Sequence, residues 1–148
     1  MKFAAAIAAI ALLIPAAALA FDVGPAVGSQ APALHVTDVA GKAQTVASLT
    51  GKKGVVVMFF RSAKWCPYCQ AQLTEFRDAQ APLEARGYRL VAISYDPPEV
   101  LTRFEVERQI GYTLLSDAGS VTIDAWNLRD PQYPSPASPT ACRAQPSS

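Results

Sequence analysis

The chain has 148 residues, with 13 Lys and Arg against 12 Asp and Glu and a single His. A net charge of +1 excludes nucleic-acid binding through a basic surface, and it excludes a polyacidic or polybasic disordered chain. Hydrophobic residues make up 51%, enough for one small domain and not for two, and three cysteines leave at least one thiol without an intramolecular partner.

Met1-Lys2 is a short positive start, and residues 3–20 carry no charge. Pro15 interrupts this run, and Ala18-Leu19-Ala20 has the small residues of a cleavage site. The pattern predicts a signal peptide over 1–20, cleaved after Ala20, and an exported chain that is periplasmic or secreted. A membrane anchor is the competing reading, because the run approaches spanning length. Its alanine content favours cleavage, after which no membrane contact is expected. Phe21 would then open the mature chain in a compartment that permits disulfides.

A single folded domain is expected over 21–130. Residues 34–39 and 45–49 read as short extended pieces around a turn at Ala40-Gly41-Lys42. Val55-Val56-Val57-Met58-Phe59-Phe60 is a β-branched and aromatic run, as in a strand buried on both faces of a parallel sheet. A helical pattern begins at Cys66, with Leu73, Phe76 and Leu83 on one face. It ends near Gly87, with Pro82 a point where it can kink or stop early. Residues 88–95 read as the next strand. Asp96-Pro97-Pro98 then predicts a cap and a proline start for a helix carrying Val100, Leu101, Phe104 and Ile110, ended by Gly111. Residues 112–115 read as a short strand and 120–128 as a last helix, with Val121, Ala125 and Leu128 inward. This alternation predicts an α/β fold with a parallel sheet and helices on its faces.

Residues 131–148 hold five of the twelve prolines and four serines but no Val, Ile, Leu or Phe, so a disordered Pro/Ser/Ala-rich tail is expected there. Cys142 lies in it, read either as a free thiol or as a resolving cysteine on a flexible arm.

The chemistry is concentrated at Trp65-Cys66-Pro67-Tyr68-Cys69, a C-x-x-C at the junction of an apolar strand and a helix. Unpaired backbone N–H groups and the helix dipole favour an anion at a helix start, which predicts a stabilised thiolate on Cys66. Cys69 follows one turn later on nearly the same face, within reach of a disulfide. Cys66 is expected to be the exposed attacking thiol and Cys69 the more buried resolving thiol. Pro67 suits the first helical turn, Trp65 forms an apolar rim with Tyr68 beside the motif, and Arg61 and Lys64 are candidate positive charges near Cys66. Two other readings of the spacing stay open. One is half of a zinc site, although no second C-x-x-C accompanies it and His35 is the single His; the other is a structural staple, weak because so short a loop gains little from closure. His35 itself reads as a surface or strand residue. No cofactor is expected.

The stretch from Phe59 to Cys69 resembles the thioredoxin superfamily and, within it, the alkyl hydroperoxide reductase/thiol-specific antioxidant redoxins. Gly28-Ser29-Gln30-Ala31-Pro32, the strand at 90–97 and Leu114-Leu115-Ser116-Asp117 are similar to further segments of that family. The resemblance covers 27–128 and implies a thioredoxin-like three-layer α/β/α fold. It also implies redox activity through a Cys66–Cys69 dithiol/disulfide pair. The implied partners are protein or small-molecule thiols and disulfides or hydroperoxides, together with a dithiol electron donor. Ala63 stands where the family's peroxidases usually have Thr or Ser, with Ser62 one residue off, and Phe60 stands where thioredoxins carry a buried Asp. Dithiol exchange is therefore the first reading and hydroperoxide reduction the second; a remnant with an inert disulfide is the non-enzymatic alternative. The family's later cis-proline loop, strands and helix have no recognisable counterpart after Asp130, although Tyr133-Pro134 is a tempting stand-in for the loop. A truncated or frame-shifted end is expected on that ground. It would leave the 55–60 strand with an open edge, prone to aggregation or to an edge-mediated dimer.

Overall fold

The computed structural model describes residues 23–129. The export signal over 1–20 and the tail over 131–148, with Tyr133, Pro134 and Cys142, lie outside the described residues. Ten elements follow one another: β1 (Val36–Asp38), β2 (Ala43–Gln44), α1 (Val46–Leu49), β3 (Gly54–Phe59), α2 (Pro67–Glu75), α3 (Arg77–Ala85), β4 (Tyr88–Ser94), α4 (Pro98–Arg108), β5 (Thr113–Ser116) and α5 (Val121–Ala125).

The sheet order is β2-β1-β5-β4-β3. Strands β3, β4 and β5 are parallel, with Val56 opposite Leu90 and Ala92 opposite Leu114; β1 runs antiparallel to both β5 and β2. The sheet is therefore mixed rather than purely parallel, because the 34–44 hairpin adds to its β5 side. Each of β4 and β5 is laid down on the same side of its predecessor, so both crossovers run over one face.

Alternation along the strands sends side chains to two cores. Leu90, Ala92 and Leu114 meet Leu73 of α2 and Leu101 and Phe104 of α4 on one face. Val91, Ile93 and Leu115 meet Leu49 of α1 on the other, with Trp126 packed alongside. Helices cover both faces, which gives the three layers expected of the α/β/α fold. Among the described residues no helix is long and apolar enough to cross a membrane.

Several local expectations are corrected. Residues 46–49 form a helix, not a strand, because Thr45 and Ser48 make a reciprocal capping box: Ser48 N–H donates to Thr45 Oγ1 at 3.2 Å and Thr45 N–H to Ser48 Oγ at 2.9 Å. Strand β3 is half-buried along its whole length rather than enclosed, since β4 is its one neighbour among the described residues. The helix after Cys66 breaks at Phe76, not at Pro82, which is tolerated inside α3. Side chains cap the carbonyls freed by that break: Tyr112 Oη donates to Leu73 O at 2.7 Å, and Arg77 Nε donates to Thr74 O at 3.0 Å. Gly87 takes a φ of +89° just past the end of α3, the left-handed turn expected of it.

Pro97, not Asp96, occupies the cap position of α4, because the Asp96 carboxylate is turned inward. Helix α4 ends at Gln109 with a φ of 51°, two residues before Gly111. Helix α5 is shorter than expected, and Val121 and Ala125 are exposed while Thr122 is buried. Asp117 explains that choice of face: its carboxylate accepts the N–H groups of Thr122 and Ile123 and draws the first turn inward.

Candidate redox site

Parallel strands put their C-terminal ends on one edge of the sheet, and the site lies on that edge. Strand β3 delivers the loop 60–65, β4 delivers Ser94 and Asp96, and α2 starts against them. Cys66 is the N-cap of α2, with extended backbone (φ −100°, ψ 97°), and Pro67 occupies the first turn, where a missing N–H costs nothing. Cys66 Sγ accepts from Cys69 N–H at 3.2 Å, so sulfur takes the position that a capping oxygen usually fills. Cys66 and Cys69 are joined as a disulfide, with Cα atoms 5.2 Å apart.

The expected exposures are reversed: Cys66 is 1% exposed and Cys69 is 8% exposed. Capping folds the Cys66 sulfur back over the helix start, where it joins the apolar cluster of Phe60, Ala63 and Leu73. Phe60 is buried in that cluster, so an apolar ring fills the place of a buried acid.

Of the two candidate cations, Arg61 makes the contact. Its Nη2 lies 3.6 Å from Cys66 Sγ, and its guanidinium stacks 5.1 Å above the Trp65 ring. Lys64 is exposed and contributes its backbone N–H to the loop. Trp65 is 46% exposed and Tyr68 is 84% exposed, so the aromatic rim stands beside a buried disulfide. His35 is exposed, and its N–H donates to Thr122 Oγ1, next to α5. Among the described residues no group of three or more His, Cys, Asp or Glu is gathered to hold a metal ion.

Asp96, Ser62 and Gln70 hold the loop, a role that no local pattern assigns to them. Asp96 Oδ1 accepts from Ser62 Oγ at 2.7 Å, and its Oδ2 accepts from Ala63 N–H at 2.6 Å and from Ser94 Oγ at 3.2 Å. Ser62 Oγ in turn accepts from the N–H groups of Lys64 at 3.0 Å and Trp65 at 3.4 Å. Gln70, one turn into α2, reaches back with Nε2 to Ala63 O at 2.9 Å and Lys64 O at 3.3 Å. The available signal was positional: Asp96 follows the C-terminal end of a strand adjacent to the one that carries the C-x-x-C.

The AhpC/TSA family model matches residues 27–146. A chloroplastic peroxiredoxin Q of Suaeda salsa is 32% identical over 101 residues, 68% of this chain and 46% of that protein. The solved structure of peroxidoxin BcpB from Mycobacterium tuberculosis superposes with a TM-score of 0.61 at 27% identity, over 67% of this chain and 64% of that one. A secreted disulfide oxidoreductase from the same organism superposes with a TM-score of 0.50 at 21% identity, over 64% and 66% of the two chains, a likeness of fold alone. The chain spans 46% to 62% of the length of the curated relatives it matches.

Proposed function

This chain belongs to the AhpC/TSA family, and from that premise we propose that it is an exported thiol–disulfide oxidoreductase cycling Cys66 and Cys69. The observation that carries this reading is the Cys66 sulfur at the N-cap of α2, accepting the Cys69 N–H, with Arg61 3.6 Å away. Amide donors, a helix start and a guanidinium all lower the cost of negative charge on that sulfur.

In the reduced chain the Cys66 thiolate attacks a substrate disulfide. A Cys66–substrate S–S bond forms and one substrate sulfur leaves as thiolate. The Cys69 thiolate then attacks Cys66 Sγ, the second substrate thiolate leaves, and the Cys66–Cys69 bond is restored. The substrate gains two electrons and the protein loses two, which an external dithiol donor returns. Run in reverse, the same steps oxidise a substrate dithiol. The exposed Trp65 and Tyr68 rim suits a protein or small organic disulfide.

Hydroperoxide reduction is the second reading, favoured by the names of the peroxiredoxin relatives. Against it, Ala63 offers no hydroxyl, and Ser62 is fully buried with its proton given to Asp96 and its oxygen taken by two amides. One experiment separates them. Dithiol exchange predicts that Cys69→Ser traps a mixed disulfide with substrate and that the wild type reduces a model disulfide far faster than it consumes hydrogen peroxide. Peroxide consumption that survives in Cys69→Ser, with no disulfide reduction by the wild type, would reverse the order.

Export rests on the 1–20 pattern, and an N-terminus at Phe21 in the mature protein, read by mass spectrometry, is its test. Among the described residues β3 is paired on one side, by β4, which supports an edge-to-edge dimer, tested by sedimentation; a monomer at all concentrations contradicts it.

A further inference from the structure

Asp96 is 4% exposed, and Ser62 and Ser94 are fully buried, yet the exchange steps use none of them. A carboxylate is costly to bury unless donors surround it. Its donors are the Ser62 and Ser94 hydroxyls and the Ala63 N–H, from the loop after β3 and from the end of β4. Asp96 is held in turn: its N–H donates to Ser94 Oγ at 3.1 Å, and its carbonyl accepts from Ser116 Oγ at 2.7 Å. A rigid carboxylate therefore grips an irregular loop that has Arg61 at one end and Cys66 at the other.

Ser62 relays that grip. Its hydroxyl has one proton, given to Asp96, and two lone pairs, taken by the Lys64 and Trp65 amides. The direction of Trp65 depends on this relay, and Arg61 lies against Trp65. We propose that Asp96 is a positioning residue of the redox centre: through Ser62 and Ala63 it fixes the loop shape that sets Arg61 against Cys66 Sγ. The proposal rests on Cys66 being the reactive thiol.

Asn is the discriminating substitute. It keeps the shape of Asp96, but its NH2 group faces either a Ser62 hydroxyl whose lone pairs are already taken or the Ala63 N–H. The test is a double-mutant cycle on the full reduced chain. The rate of Cys66 alkylation by iodoacetamide at pH 6 is resolved from that of Cys69 by fragment mass. It is measured in wild type, Asp96→Asn, Arg61→Gln and the double variant, with Ser62→Ala run in parallel in case Asp96→Asn fails to fold. Positioning through Arg61 predicts that Asp96→Asn and Ser62→Ala each slow Cys66 at least five-fold when Arg61 is present and change it less than two-fold in the Arg61→Gln background. Equal slowing in both backgrounds, or no slowing in either, overturns the proposal. The wild-type rate tells the two claims apart. A fast wild-type Cys66 unaffected by Asp96→Asn sinks the positioning role alone, whereas a wild-type Cys66 as slow as a peptide thiol sinks the redox reading as well.

Discussion

Two aspartates end adjacent parallel strands of this sheet and do different work. Asp117 follows β5, is 2% exposed, and accepts the N–H groups of Thr122 and Ile123, five and six residues onward. Asp96 follows β4, is 4% exposed, and holds Ser62 and Ala63, more than thirty residues back in the chain. One starts the helix that comes next; the other grips a loop delivered by the neighbouring strand. The same side chain, one residue past the end of β5 and two past the end of β4, is thus a local cap in one case and a long-range clamp in the other. The clamp is the one beside the sulfurs.

The largest effect that sharpens this contrast is expected at Asp117. Asp117→Ala leaves one buried and one half-buried N–H group without their acceptor, and with about 1–3 kcal/mol for each unsatisfied group the loss should be about 2–4 kcal/mol by denaturant unfolding. Cys66 alkylation should stay within two-fold of wild type, and a large fall in that rate would erase the distinction between the two aspartates. The pH dependence has a definite sign. Burial raises the Asp117 carboxyl above its ordinary 3.8, against the pull of the Ile123 and Thr122 amides. Its contribution to stability is therefore fullest below pH 3.8 and falls as pH rises through the raised value, so the advantage of wild type over Asp117→Ala should shrink across that window.

Next comes Tyr112, which ties β5 to the end of the helix bearing the cysteines. Burial pushes its phenol up to about 12 from 10.0, against the opposing charge of Arg77. Stability from this group is complete below pH 10 and lost between pH 10 and 12, by about 2–3 kcal/mol. Tyr112→Phe should abolish that alkaline loss and cost about 1 kcal/mol at pH 7. Unfolding curves at pH 7, 9, 10.5 and 12 check both, and an unchanged alkaline loss in Tyr112→Phe contradicts the assignment.

The smallest effect is expected at Gln70, whose amide joins α2 to the loop from the other side. Gln70→Ala should cost about 1 kcal/mol by thermal or denaturant unfolding. It should slow Cys66 less than Asp96→Asn does, because Ser62 still holds the Lys64 and Trp65 amides. A slowing larger than that of Asp96→Asn would make α2, not β4, the holder of the loop.

What was legible in the sequence follows the same division between near and far. The apolar run at β3, the strand at 88–94, the paired prolines opening α4 and the C-x-x-C at a helix start are local signals, and the structure has each of them. The place of Cys66 at the helix start was legible because it, Pro67 in the first turn and the second cysteine all lie within four residues. The break at Phe76 was not: it is stabilised by Tyr112, 36 residues onward and just before β5, and by Arg77, whose side chain reads in sequence as one more solvated charge. Asp96 misled for the same reason. An Asp before Pro-Pro is a good local cap, but the fold offers it buried donors on β3's loop that no local pattern encodes. The exposure of Cys66 was misjudged because accessibility depends on where the loop folds the sulfur, not on spacing.

The central claim is that the Cys66 sulfur is stabilised as an anion by the start of α2 and by Arg61. The direct measurement is the rate of Cys66 alkylation in the reduced chain as a function of pH. A midpoint well below the ordinary thiol value of about 8.5, shifting upward in Arg61→Gln, is the predicted result. A midpoint at or above that value, indifferent to Arg61, would contradict the account.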